Sequence, residues 1–244
     1  MKIAGKTDIG LVRAENQDSF ATGEVNENLA WAVVCDGMGG HAGGSTASKM
    51  AVECISERIK STLHEKMSVQ SVRNMLESAI LFANARIFNS ACDNPSLKGM
   101  GTTVVAAVCT GNTAVVAWAG DSRCYHFANG SITQITKDHS FVQQLVDSGS
   151  ITPEEANEHP MKNIITRALG LDDDVQVDFT DIEFAVSGDE KLILCTDGLT
   201  NPVSDKIIAE CVSDGDCGDQ AEMLVDLANK NGGTDNITVA IISA

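Results

Sequence analysis

The sequence contains no long hydrophobic run and no close cysteine pairs. No apolar run in the 244-residue chain approaches the roughly 18 residues of a membrane-spanning helix. The first ten residues, MKIAGKTDIG, have no apolar core of a secretory signal. None of the eight cysteines forms a CxxC pair, so we expect reduced, structural thiols. These absences together predict a cytoplasmic protein.

Basic and aromatic residues are scarce. The chain has 17 Lys and Arg against 34 Asp and Glu, a formal net charge of −17, and 4% aromatic residues. Nucleic-acid binding relies on basic side chains and often on stacked aromatic rings, so we expect no nucleic-acid partner, and we expect no membrane partner either. The charge indicates either a solubilising surface or carboxylates that hold cations.

The hydrophobic content of 43% is typical of a globular chain. The sequence has no low-complexity linker and no repeat, so we predict a single domain over residues 1–244. Short strand-like runs come first, followed by two long helical patterns near 44–65 and 68–92. Many strands, a helix pair and a last strand near 236–243 follow. This order does not alternate as parallel βαβ units do, and it predicts an α+β fold with antiparallel sheets covered by helices.

Acidic residues stand at the ends of several predicted strands. Asp36, Asp121 and Asp197 each follow an apolar run, and Asp235 precedes one. In antiparallel sheets the end of one strand lies beside the start of its neighbour, so these acids can share a rim, which Asp18 could join. Asp-Gly after a strand is also an ordinary turn signal. Clustered carboxylates repel unless a cation or proton intervenes, so the cluster favours Mg²⁺ or Mn²⁺.

The glycine-rich stretch CDGMGGHAGGST at 35–46 allows three interpretations: a phosphate loop, a metal-binding turn, or a turn without chemistry. The spacing from Gly39 to Gly44-Ser45 approaches that of a nucleotide-binding P-loop, but the lysine that meets the phosphates is missing. A metal-binding turn fits better. Asp36 offers a carboxylate and Gly37 offers a carbonyl, and the glycines allow the backbone to approach closely.

Six motifs, taken together, resemble the metal-dependent protein phosphatases of the type 2C family, in its bacterial branch. They are TDIGLVRAENQD at 7–18, CDGMGGHAGG at 35–44, GTTVV at 101–105, AGDSR at 119–123, TDGL at 196–199 and TDNIT at 234–238. The resemblance implies a β-sandwich of two antiparallel sheets flanked by helix pairs. It also implies hydrolysis of phosphoserine and phosphothreonine on proteins.

The resemblance further implies a set of ligands for two Mn²⁺ or Mg²⁺ ions. Asp36 would bridge the two ions, and the Gly37 carbonyl would bind one of them. Asp197 and Asp235 would complete the other site. Asp18 would act through bound waters or as a close outer group.

The same resemblance implies a third, weaker metal site and a phosphate ligand. Asp121, with Asp197, would make the third site, and Arg13 would take the phosphate oxygens. The two core ions would lower the pKa of a bridging water, which would attack phosphorus without forming a phosphoenzyme.

The sequence departs from the family pattern at two positions. Met38 stands where animal members have a histidine proposed as the general acid, so the proton could come from a metal-bound water or from His41. Gln17 stands where some members have glutamate, which predicts looser binding of one metal. The polar segment 138–170 matches the family's flap, and we expect Arg167 within it to be structural.

The sequence leaves two other functions open. One is an inactive phosphoprotein-binding module of the same fold, and the other is an acidic cation-binding protein without activity. The intact acids argue against the first, and Arg13 is unexplained by the second. For the phosphatase the expected partners are phosphorylated proteins and a cognate Ser/Thr kinase.

Overall fold

The structure is a computed structural model that describes residues 1–39, 43–185 and 189–244. The strands are β1 Lys2–Asp8, β2 Asp18–Asn26, β3 Leu29–Met38, β4 Gly101–Thr102, β5 Val104–Thr110, β6 Thr113–Ala119, β7 Arg123–Ala128, β8 Ser131–Gln134, β9 Asp178–Glu183, β10 Lys191–Cys195 and β11 Ile237–Ser243. The helices are α1 Gly43–Thr62, α2 Val69–Asp93, α3 Phe141–Asp147, α4 Pro153–Glu158, α5 Asp197–Thr200, α6 Asp205–Val212 and α7 Cys217–Lys230.

The strands form two antiparallel sheets. One has the order β1-β11-β10-β7-β8, and the other has the order β2-β3-β5-β6-β9, with β4 paired to β3. The first and last strands of the chain pair with each other, with Lys2 opposite Ser243 and Asp8 opposite Ile237. This pairing places the first and last strands of the chain side by side at one edge of the five-stranded sheet, where β11 also pairs with β10.

The sheets stack face to face, and helices cover the outer face of each. Strand β3 shows why, because it is apolar on both faces. Leu29, Trp31 and Val33 pack against α1 and α2, whereas the alternating Ala30, Ala32 and Val34 pack between the sheets. A third apolar cluster joins α6 and α7 to the five-stranded sheet. The predicted α+β sandwich with flanking helix pairs is confirmed.

Residues 138–170, which we call the flap, leave the sandwich between β8 and β9. The flap contains α3 and α4. One isolated bridge, between Thr102 and Leu169, attaches its end to β4, and a second, between Ser140 and Ile165, joins its two ends to each other. The helix that begins at Pro153 is capped by Thr152, whose side chain and that of Glu155 satisfy each other's backbone N–H groups. The flap is therefore an ordered insertion attached beside β4.

The sequence also predicts reduced, structural cysteines and no membrane-spanning helix. All eight cysteines are free thiols, and six of them are buried. Across the three described ranges, no helix has both the length and the hydrophobicity needed to cross a bilayer.

Candidate metal centre

The predicted aspartates come from both sheets and meet at one end of the sandwich. Asp18 begins β2 and lies directly opposite Asp36 of β3. Asp121 lies in the turn between β6, in the same sheet, and β7, in the other sheet. Asp197 lies just after β10 and Asp235 just before β11, and both of these strands belong to the five-stranded sheet. The sequence suggested one shared rim, and the structure forms it across the gap between two sheets.

These residues surround a cavity of about 280 Å³. It is lined by four of the predicted aspartates together with Arg13, Gly37 and residues of the flap. The lining residues are Arg13, Gln17, Asp36, Gly37, Met38, Gly39, Thr103, Asp121, Asn163, Ile165, Asp197, Asp235 and Asn236. His41 lies outside the described residues, so its predicted place beside this cavity stays a prediction.

Asp18 is buried and does not line the cavity. Its Oδ2 accepts hydrogen bonds from the hydroxyls of Thr196, at 2.9 Å, and Thr238, at 2.7 Å. Its Oδ1 is buried and finds no partner among the described residues. Burial raises the pKa of Asp18 to about 7, against the effect of both hydroxyls. Asp18 therefore stands behind the cavity wall, as expected of an outer group.

The backbone around Asp36 is fixed by Thr103. The Asp36 N–H donates to Thr103 Oγ1 at 2.9 Å, and the Thr103 N–H donates to the Asp36 carbonyl at 2.9 Å. The next residue, Gly37, accepts no side chain, because a Cβ there would collide with the carbonyl oxygens of Gly44 and Gln17. The sequence Asp-Gly is thus required here by close backbone approach.

The carboxyl groups raise one another's pKa values. Burial raises the pKa of Asp36 well above its usual range, and the charges of the surrounding aspartates raise it further. Burial raises the pKa of Asp121 to about 7, with Asp197 and Asp138 adding to the effect. Burial and the charge of Asp235 also raise the pKa of Asp197. The protein alone therefore leaves several negative charges at this end uncompensated.

The guanidinium of Arg13 faces the cluster. Arg13 Nη2 donates to Asp235 Oδ2 at 2.6 Å, and this hydrogen bond raises the pKa of Arg13. About half of the Arg13 side chain is exposed. The loop that carries it is held by Asn236, whose amide donates to the carbonyls of Ile9 and Glu15. The predicted phosphate ligand is therefore present at the cavity and is paired with a predicted metal ligand.

The residues present fit hard divalent cations. Carboxylate and carbonyl oxygens are the donors such ions prefer, and Asp197 Oδ1, like Asp18 Oδ1, is buried without a partner among the described residues. Within the described ranges, no group of three or more His, Cys, Asp or Glu side chains is arranged so that it could hold a metal ion by itself. The acids instead surround open space, which suits ions that keep several waters, as Mg²⁺ does.

A larger cavity of about 770 Å³ adjoins the first. The two share Asp121, Asn163 and Asp197. The larger one lies between the flap and the start of α6, and its lining includes Lys162 and Lys206. Arg167 points away from this chemistry, since it donates to Asp178 Oδ1 at 2.9 Å, in agreement with its expected structural role.

Sequence reasoning missed the residues that hold the acids in place. Thr196 and Thr238 bind Asp18, and Thr103 binds Asp36. Asn236 also accepts a hydrogen bond from the Gln17 backbone at 2.8 Å. These residues could have been identified from their positions, because each of them lies inside or next to one of the quoted motifs.

The chain matches known proteins over most of its length. The family described as Protein phosphatase 2C matches residues 12–224. The serine/threonine phosphatase stp of Listeria monocytogenes is 39% identical over 238 residues, covering 97% of this chain and 93% of that protein. The crystal structure of the serine/threonine phosphatase Stp1 from Staphylococcus aureus is similar with a TM-score of 0.91 and 36% identity, covering 100% of this chain and 94% of that one.

A further solved structure holds metal. The catalytic domain of the serine threonine protein phosphatase PstP, in complex with two manganese ions, has a TM-score of 0.86 and 37% identity. The match covers 98% of this chain and 96% of that one. The matched residues 12–224 contain Arg13, Asp36, Asp121, Asp197 and the flap, whereas Asp235 lies just beyond the match. The chain belongs to the protein phosphatase 2C family.

Proposed function

We propose that the acidic cavity hydrolyses phosphoserine and phosphothreonine on proteins, with divalent cations held by Asp36, Asp197 and Asp235. The chain is a metal-dependent serine/threonine phosphatase by family, as the names of its relatives also support. The observation that carries the assignment of residues is the cavity itself. It gathers these three carboxylates and the Arg13 guanidinium around one cavity of about 280 Å³.

The proposed ligands have distinct roles. Asp36 and Gly37 come from β3, whereas Asp197 and Asp235 lie beside β10 and β11 of the other sheet, and in this proposal Asp36 would serve both ions. Divalent cations bound there supply a water of lowered pKa and positive charge that offsets the phosphate oxygens. Asp18 holds the wall behind them through the hydroxyls of Thr196 and Thr238.

Arg13 binds the phosphoryl group of the substrate in this proposal. A guanidinium matches phosphate geometry and can donate two parallel hydrogen bonds. Its partner, Asp235, is also a proposed cation ligand, so Arg13 would be free to bind the substrate phosphate where a cation compensates that carboxylate. The guanidinium then offsets charge on the transferred group, where such stabilisation counts most.

Asp121 is the proposed ligand of a third, weaker cation, shared with Asp197. Asp121 and Asp197 line both the small cavity and the large one, so this third cation would lie where the two cavities meet. Mn²⁺ or Mg²⁺ suits all of these oxygen donors. The proton for the leaving hydroxyl comes from water at this site or from His41, which the described residues do not include.

The substrates are phosphorylated proteins, so a protein Ser/Thr kinase must supply them. We include such a kinase and its targets among the proposed partners, and the kinase itself can be a target. The larger cavity beside the metal site gives room for the polypeptide that carries the phosphate. A cytoplasmic location fits this role.

The test is hydrolysis of a phosphothreonine peptide in Mn²⁺ by the purified protein and by two variants. Asp36→Asn should remove turnover, whereas Glu24→Gln, an exposed acid on β2, should leave it unchanged. A phosphotyrosine peptide of the same sequence should be a much poorer substrate. Full turnover by a folded Asp36→Asn variant would overturn the assignment.

A further inference from the structure

His139, at the start of the flap, is bound twice to one residue of the metal centre's rim. Its backbone N–H donates to the Gly120 carbonyl at 2.9 Å. The Gly120 N–H in turn donates to His139 Nδ1 at 3.0 Å. Gly120 immediately precedes Asp121, so this reciprocal pair holds the turn from which the Asp121 carboxylate enters the cavity.

The remaining contacts fix the orientation of the His139 ring. Because Nδ1 accepts from the Gly120 N–H, the neutral ring carries its proton on Nε2, which donates to Asp178 Oδ2 at 3.1 Å. Arg167 Nη1 lies 3.0 Å from the same Nε2, so His139 and Arg167 meet at Asp178. Burial lowers the pKa of His139, which favours this neutral form. Asp178 Oδ1 accepts from Arg167 near the other end of the flap, at 2.9 Å. The ring also lies parallel to that of Trp118, with 6.2 Å between centroids.

The turn is held from its other side as well. Gly120 has φ +120, and a Cβ there would collide with the side chain of Thr103. Thr103 is the residue that fixes the Asp36 backbone, and its hydroxyl lies 2.7 Å from that of Ser122. The Asp121 turn therefore lies between Thr103, which holds the Asp36 backbone, and His139, which belongs to the flap.

We propose that His139 is a positioning residue, which places Asp121 for cation binding and ties that placement to both ends of the flap. This inference rests on the proposed function of Asp121 as a metal ligand. The proposal adds that the flap and the Asp121 cation site are coupled. His139 contacts both, so the way in which the flap attaches to the sandwich sets the affinity of the Asp121 site for its cation.

Three substitutions of His139 distinguish the hydrogen bond that its Nδ1 accepts from Gly120 from the one that its Nε2 donates to Asp178. His139→Asn can place an amide oxygen near the Nδ1 position and keep an acceptor for the Gly120 N–H. His139→Gln can reach Asp178 in place of Nε2 but leaves the Gly120 N–H without an acceptor. His139→Phe keeps a ring beside Trp118 and loses both hydrogen bonds. His126→Asn is a matched control, because His126 bonds Glu190 at 2.9 Å and no cavity residue.

The first measurement is amide hydrogen exchange at Gly120 in the metal-free protein, which needs no activity. We expect exchange roughly tenfold faster in the Gln and Phe variants, and close to wild type in the Asn and His126→Asn variants. The second measurement is the Mn²⁺ dependence of phosphopeptide hydrolysis. The Gln and Phe variants should need roughly tenfold more Mn²⁺ for half-maximal rate, while calorimetry still finds the two tighter ions.

A double-mutant cycle with Asp121→Asn tests whether His139 acts through Asp121. In that background, His139→Gln should add little further loss of kcat/KM. An equal loss in both backgrounds, or unchanged Gly120 exchange in the Gln variant, would overturn the proposal. If the Phe variant does not fold, the Asn and Gln comparison still decides. Absence of turnover in the wild type would refute the proposed function, and the Gly120 exchange data would then show whether the His139 clamp exists without it.

Discussion

Arg13 donates a hydrogen bond to Asp235 at 2.6 Å, at the mouth of a cavity that four aspartates line. The pair joins the proposed phosphate ligand to a proposed cation ligand. Since Arg13 and a cation both compensate the Asp235 charge, they compete for it. Binding of cations and binding of substrate are therefore linked through this one ion pair.

Substitution of Arg13 should separate the two kinds of binding. We expect Arg13→Gln to raise KM for a phosphothreonine peptide roughly tenfold, because a charge-assisted contact to phosphate is lost. The same change removes a positive charge near the carboxylates, so Mn²⁺ affinity should stay equal or increase. Steady-state kinetics and calorimetric Mn²⁺ titration measure the two effects. Arg58→Gln, on α1 and exposed, is the control, and weaker Mn²⁺ binding by Arg13→Gln would contradict the competition.

The core carboxylates should be needed for turnover and not for folding. We expect Asp36→Asn and Asp197→Asn each to lower kcat/KM by roughly a hundredfold or more. The metal-free variants should unfold at the same temperature as the wild type or higher, because each substitution removes a repelling charge from the cluster. Calorimetric melting in EDTA checks the second outcome. A large loss of thermal stability would assign these acids a structural role.

Asp121→Asn should give a milder result. Activity at low Mn²⁺ should fall, while the two tighter ions remain bound, because Asp121 is not among the three aspartates proposed to hold them. Mn²⁺ titration by calorimetry gives the number of tight sites. Loss of all Mn²⁺ binding in this variant would move Asp121 into the core ligand set.

The stability of the metal-free protein should depend on pH at this site. The pKa values of Asp18 and Asp121 are raised to about 7 from an ordinary 3.8. The folded state therefore binds protons that the unfolded state releases, and the free energy of unfolding from these groups falls as pH rises from about 4 through about 7. Cations relieve the repulsion that remains.

The expected consequence is a larger thermal shift on Mn²⁺ binding at higher pH. The difference in Tm between Mn²⁺-loaded and EDTA-treated protein should grow by several degrees between about pH 5 and about pH 8. Differential scanning calorimetry in buffers of matched ionic strength measures it. A shift that is constant or shrinks over this range would contradict the raised pKa values.

Gly37 should tolerate no side chain. We expect Gly37→Ala to lower the free energy of unfolding by about 1–3 kcal/mol, because the new methyl group meets the Gly44 and Gln17 carbonyls. Urea denaturation of the metal-free protein measures this loss. Gly218→Ala in the first turn of α7 is the matched control, since its nearest neighbour is a side-chain atom 3.3 Å away. Equal stability of the two variants would refute the close approach at Gly37.

Local pattern was enough to predict most elements. The helices predicted near 44–65 and 68–92 match α1 and α2, and the last strand predicted near 236–243 matches β11. The four-residue helix α5 was missed because it is too short for any periodicity, although it begins at Asp197, one of the predicted ligands.

Long-range pairing could not be read from the pattern. The residues that pair β1 with β11 are more than 200 positions apart, and nothing local indicates which sheet a strand joins. The aspartates at strand ends were therefore predicted to meet on one rim, and the structure draws them from two sheets. The pairing of Arg13 with Asp235, 222 positions away, depends on the same kind of long-range contact.

The most direct test of the central claim is hydrolysis of a phosphothreonine peptide by the wild-type protein in Mn²⁺, then in excess EDTA, then after Mn²⁺ is restored. The account predicts turnover that EDTA removes and Mn²⁺ returns, with the protein folded throughout. Turnover that persists in EDTA, or no turnover in either Mn²⁺ or Mg²⁺, would contradict a phosphatase site built from these carboxylates and divalent cations.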